Sequence, residues 1–202
     1  MAVKDHTLDS KIVEAAKAEF MLHGFRKASL KKISERAGIT TGALYTRYKN
    51  KDDLFCSLIA DSFSGLKEKM TPLRTDYQAA QFSGSAEQIL QVIRSEEKMF
   101  LDLLFDYYDE CVLFFCKSDG SSIENALHGM MEKKSKETVA YLKSIAKVEI
   151  DYDGIEMIMT ESAHYYRSIL EKGYDKEKAV SCMETVYRFL EAGWKELFEK
   201  IL

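Results

Sequence analysis

A single proline, Pro72, interrupts this 202-residue chain. With so few backbone breakers, long helices can run undisturbed. Stretches of Val, Ile and Thr alternating at period two are also missing, so strands are not expected. The apolar run from Cys111 to Cys116 is far too short to cross a bilayer. The four cysteines form no Cys-x-x-Cys pair, which removes the usual signature of a redox or zinc site. They read as reduced, mostly buried thiols. The four histidines are too scattered for a metal site. There is no glycine-rich phosphate loop, no Gly-x-Ser-x-Gly and no His-Glu-x-x-His. The expectation is therefore a protein without catalytic residues, cofactor or metal. No secretory apolar region follows Met1, and Lys4 to Thr7 is polar, so a cytoplasmic protein with no membrane association is expected.

What the chain does have is 46% apolar residues, enough for a sizeable core, and an uneven distribution of charge. The net charge is −4, yet residues 1–51 hold 11 Lys and Arg against 5 Asp and Glu. The remaining residues are net acidic. A basic N-terminal quarter on an acidic protein points to a polyanionic partner for that quarter alone.

Helix signals are local and repeated. Ile12, Ala16 and Phe20 recur every four residues and predict helix 1 from Leu8 to His23, with Thr7 or Asp9 as its cap and Gly24 just past its end. Ser29 predicts the cap of helix 2, Leu30 to Ala37, with Gly38 ending it. Thr40 predicts the cap of helix 3, Thr41 to Arg47. Asn50 predicts the cap of helix 4, which carries Leu54, Phe55, Leu58, Ile59 and Leu66 on one stripe as far as Met70. Leu73 to Gly84 reads as a linker or loop. Ala86 to Lys117 reads as one or two apolar helices, entered through a Ser85/Gln88 capping box. A Ser121/Glu124 box predicts a helix to Lys147, and Asp153 with Glu156 predicts another to Lys172. Gly173 ends that helix and Asp175 caps the last one.

Residues 29–55 are laid out as two short helices around a glycine turn, the arrangement that places a second helix in the DNA major groove. Thr40, Thr41, Ala43, Tyr45, Thr46 and Arg47 would form the reading surface. Arg47 fits either a bidentate pair with guanine or a phosphate contact. Gly42 fits either close approach of the DNA backbone or a first-turn position where glycine costs little. Arg26, Lys27 and Ser29, with Lys31 and Lys32, fit a phosphate clamp at a helix N-terminus, and Lys49 and Lys51 fit the same role from the other side.

The string Gly24-Phe25, Ser29, Ile33, Ala37-Gly38-Ile39-Thr40, Gly42, Leu44-Tyr45, then Lys51-x-x-Leu54-Phe55 resembles the TetR family of bacterial transcriptional regulators over about the first 60 residues. Arg47 and Tyr48 depart from the residues common there. The resemblance implies an all-α fold: an N-terminal three-helix helix-turn-helix DNA-binding domain (1–50) joined by helix 4 to a C-terminal helical ligand-binding and dimerisation domain (51–202). It implies a repressor released from a double-stranded DNA operator by a small-molecule effector, and a homodimer through the last two helices. The long stripes on those helices, such as Val186, Leu190 and Trp194 on the last, independently favour a partner. For the effector, Phe100, Leu104, Phe105, Tyr108, Phe114, Met131 and Tyr165 are candidate wall residues. With Asp102, Asp106, Asp109 and Glu110 nearby, an aromatic pocket would suit a lipophilic cation. Ordinary helix core with a solvated acidic face accounts for the same residues. The plainest alternative function is a helical sensor or adaptor without DNA binding.

Overall fold

The computed structural model describes residues 6–60 and 86–201. Every regular element among the described residues is an α-helix. In order these are α1 (His6–Lys27), α2 (Leu30–Ala37), α3 (Thr41–Tyr45), α4 (51–60), α5 (Ala86–Asp106), α6 (Tyr108–Cys116), α7 (Ser122–Ile145), α8 (Tyr152–Thr160), α9 (Ser162–Glu171) and α10 (Lys176–Ile201). The predicted linker, the Ser85 cap and the far end of helix 4 lie outside the described residues.

Two compact units are present. The first contains residues 6–60 together with 109–127, and the second 86–108 together with 128–201. The expected boundary near residue 50 therefore differs from the observed clustering. α4 belongs with the first unit because Leu54, Phe55 and Ile59 are buried in its core. α6 belongs there too, pinned to α1 at both ends. Lys17 of α1 reaches Asp109 at 2.9 Å and Glu110 at 3.1 Å, and the Phe25 amide donates to the Lys117 carbonyl at 2.8 Å.

Inside the first unit the repeat Ile12, Ala16, Phe20 is fully buried. The rings of Phe20 and Phe55 meet edge-on at 4.9 Å, and Phe25 lies 5.3 Å from Phe55. These pairs bring α1, the chain just after its kink, and α4 together. The kink is at Gly24, whose φ of 69° and ψ of 168° are inaccessible to most side chains. α1 thus resumes for one turn beyond the expected end at His23.

The second unit has two clusters. One is centred on Leu142, Ile155 and Phe198, the other on Leu101, Ile169, Ala179 and Met183. Asp151, rather than the expected Asp153, caps α8, accepting from the amides of Asp153 and Gly154. The helix predicted to run on to Lys172 is broken at Glu161 into α8 and α9. Asp175 caps α10 through the Lys178 amide at 2.8 Å, as expected.

Candidate nucleic-acid interface

Local capping builds the α2–α3 pair. Ser29 Oγ accepts from the Lys32 amide at 3.4 Å, and the Ser29 amide donates to Glu19 at 3.0 Å, fastening the start of α2 to α1. Gly38, at φ 71° and ψ 30°, closes α2 with the left-handed turn that this cap requires. Thr40 Oγ1 accepts from the Ala43 amide at 3.1 Å and opens α3. Leu44 is buried beneath α3, and Tyr48 is half-buried after it. Asn50 Oδ1 accepts from the Asp53 amide at 2.8 Å, while Asp53 accepts from the Lys49 amide at 2.9 Å. The reciprocal pair fixes the chain entering α4.

These caps leave one polar face of α3 in solvent. Gly42 and Thr46 are exposed, and Tyr45 is 53% exposed, a large aromatic ring with no core to enter. Thr41 and Ala43 are half-buried beside them, and the Thr46 hydroxyl donates back to the Ala43 carbonyl at 2.7 Å. A Cβ at position 42 would meet only Thr40 Oγ1, at 3.8 Å. Nothing among the described residues therefore requires glycine there.

Three of the cations expected at a phosphate or a base have partners within the protein instead. Arg47 donates from Nε to Asp9 Oδ1 at 2.9 Å. Asp9, expected as a cap of α1, sits within the helix's first turn and holds this arginine. Arg26 pairs with Asp119 at 3.1 Å and lies against Gly120, where any side chain would strike it. Lys51 turns inward. Its Nζ donates to the Arg26 carbonyl at 3.0 Å and lies 4.9 Å from the centre of the Phe25 ring. Burial pushes the Lys51 amine pKa down, against the attraction of Glu19. Lys27, Lys32 and Lys49 keep exposed side chains with no ion pair among the described residues. Lys31 reaches only Glu35, at 3.8 Å on the solvent face.

The predicted effector residues are divided between the two units. Phe114 is buried in the first unit, whereas the others belong to the second. Leu104 is buried, Phe105 stands 6.0 Å from Tyr108, and Phe100 meets Tyr166 edge-on at 4.5 Å. Tyr165 packs with Phe105 on the Met183 cluster, and Met131 is half-buried on α7. A small cavity of about 30 Å³, room for about one water, lies between α5 and α10, lined among others by Glu97, Tyr187 and Trp194. The sequence signal for it was Glu97 itself, standing within the apolar stripe Leu90, Ile93, Leu101, Leu104. Burial pushes the Cys111 thiol up to about 12, which leaves it without thiolate character.

The family model described as "Bacterial regulatory proteins, tetR family" matches residues 12–58, which span the capped pair and its supports. The chain is 28% identical over 87 residues to the HTH-type transcriptional regulator Rv1816 of Mycobacterium tuberculosis, covering 43% of this chain and 37% of that protein. It therefore spans little more than a third of that relative's length. Among solved structures, a TetR-like transcriptional regulator from Rhodococcus sp. RHA1 superposes with a TM-score of 0.59 at 16% identity, covering 95% of this chain and 100% of that one. The regulator FadR of Bacillus subtilis, solved in complex with stearoyl-CoA, gives 0.54 at 18% identity, covering 92% and 98%. At these identities the two structures establish the shared all-helical fold.

Proposed function

The chain belongs, through residues 12–58, to the tetR family of bacterial regulatory proteins, and from that membership we propose that it is a ligand-responsive DNA-binding transcriptional repressor. The observation that carries this reading is the capped α2–α3 pair with Gly42, Tyr45 and Thr46 presented to solvent. Thr41, Gly42, Ala43, Tyr45 and Thr46 face the major groove. Lys27, Lys32 and Lys49, with the amides at the start of α2 behind Ser29 and those behind Thr40 in α3, meet the flanking phosphates. Arg47 and Lys51 act one step back, holding α3 and α4 in register with α1, and Arg26 ties the end of α1 to Asp119 in the turn after α6.

Two reading heads are needed to span successive major grooves about 34–36 Å apart. The surface of the second unit supports a dimer: Phe189 on α10 is 80% exposed and Met157 on α8 is 70% exposed. Large apolar side chains in that state favour a protein partner. A small molecule bound in the second unit would change the spacing of the heads and lower operator affinity by its differential affinity for the two shapes. A cytoplasmic location and the absence of enzymatic activity complete the proposal.

A mobility-shift assay tests it. Tyr45→Ala should abolish the shift while the variant keeps its helical signal and oligomeric state. Unaltered binding by that variant would remove α3 as the reading element.

A further inference from the structure

The surface presented by α3 is defined by the base contacts it cannot make. From Thr40 to Tyr48 the chain contains one charged residue, Arg47, and no Asn, Gln, Asp or Glu. Asn and Gln pair bidentately with adenine, Arg and Lys with guanine, and Asp and Glu accept from cytosine. Arg47 is engaged elsewhere. Its Nε donates to Asp9 and its Nη1 lies 3.5 Å from the Ala43 carbonyl, so its fork is turned onto α1 and onto α3 itself. Two threonine hydroxyls are also committed. Thr40 Oγ1 accepts from the Ala43 amide, and the Thr46 hydroxyl gives its proton to the Ala43 carbonyl at 2.7 Å. Thr46 can therefore offer a base only a lone pair and a methyl group. Thr41 and Tyr45 carry one hydroxyl proton each, and a single donor cannot make the paired contact that marks guanine. Lys49, just beyond, is a compact point charge suited to a phosphate. What remains at the groove is a set of methyls, on Thr41, Ala43 and Thr46, around Gly42.

We infer that α3 selects its site through thymine methyl groups, with the Thr46 methyl as the principal contact and those of Thr41 and Ala43 beside it. In the major groove thymine alone carries an apolar group, its C5 methyl. The Thr46 oxygen, limited to accepting, matches the adenine N6 amino group and finds no donor on guanine, whose groove edge carries acceptors. Contact between methyls removes apolar surface from water and contributes about fourfold in affinity for each thymine touched.

This assignment rests on the reading of α2–α3 as a DNA-binding pair, and one experiment separates the two. The purified full chain selects duplexes from a randomised pool. The recovered duplex is then made again with uracil for thymine, which removes the C5 methyl and keeps every hydrogen-bonding group. Affinity measured by anisotropy should fall about fourfold for each contacted thymine, whereas 7-deazaguanine for guanine, which removes N7, should leave it unchanged. Thr46→Ser keeps the hydroxyl and removes only the methyl. It should bind the thymine duplex about fourfold more weakly than the wild type and lose discrimination against uracil at one position. Equal wild-type affinity for the thymine and uracil duplexes, full discrimination at every thymine by folded Thr46→Ser, or weaker binding with 7-deazaguanine would each overturn the methyl reading and leave DNA binding standing. Recovery of no duplex would overturn both.

Discussion

Arg47, two residues past the end of α3, is held by Asp9 of α1 through an Nε–Oδ1 bond of 2.9 Å. The same guanidinium lies 3.5 Å from the Ala43 carbonyl. Under the proposed function, an arginine so engaged aims α3 rather than reading a base. Both side chains are about a third exposed, so solvent screens the pair, and its coupling should be about 0.5–1 kcal/mol in a double-mutant cycle. Asp9→Ala, at a residue that touches no DNA in this account, should weaken operator binding about as much as Arg47→Ala. Tighter binding by Asp9→Ala would return Arg47 to the reading surface.

Gly42 separates stability from recognition. Alanine at this helical position meets only open space and Thr40, so Gly42→Ala should stabilise the fold by up to about 1 kcal/mol. If DNA approaches the α3 backbone there, the same variant should bind operator more weakly. A thermal melt and an anisotropy titration on one sample measure both effects. A more stable variant with unchanged affinity would place the DNA elsewhere.

Glu97 gives the stability a pH dependence. Its folded-state pKa is raised above the ordinary 4.5 to about 7, so the native state binds the extra proton. Stability should therefore fall as pH rises through the window between those two values, and Glu97→Gln should remove that fall. The variant should match the wild type near pH 5 and exceed it near pH 8 by about 1–3 kcal/mol. Chemical denaturation at the two pH values checks this, and parallel curves for the two proteins would contradict it.

Phe189 is the strongest test of the dimer. It lies roughly 100–160° around α10 from Tyr187, Leu190, Glu191 and Trp194, which face α5. Phe189→Asp should therefore shift the protein toward monomer in analytical ultracentrifugation while leaving the Trp194 fluorescence intact. An unchanged sedimentation profile would place the interface elsewhere.

How legible each element was depended on how local its cause is. The caps at Ser29, Gly38, Thr40, Asn50 and Asp175 are set by residues within one turn, and each was readable from its own neighbourhood. Ser121 shows the limit. It was expected to cap α7 with Glu124, yet its hydroxyl donates to the Ser118 carbonyl, and Glu124 takes the Gly120 amide instead. Both patterns satisfy the same polar groups, and only the fold of the turn chooses between them. The engaged state of Arg47, Arg26 and Lys51 was not legible at all, because their partners lie 38, 93 and 25 residues away. Composition located a basic surface but not which of its cations face inward. The aromatic stretch 100–115 drew attention through residue type, whereas the cavity formed where a carboxylate interrupts an apolar stripe facing α10.

The central claim is that the α2–α3 unit binds duplex DNA through its exposed basic and polar face. Its most direct test is the salt dependence of affinity for genomic fragments selected by the purified full chain. The account predicts enrichment of specific fragments and a log–log slope of several units, as phosphate-bound cations are released. It further predicts that Lys32→Ala reduces the slope by about one. Failure to enrich any fragment, together with a slope near zero, would contradict it.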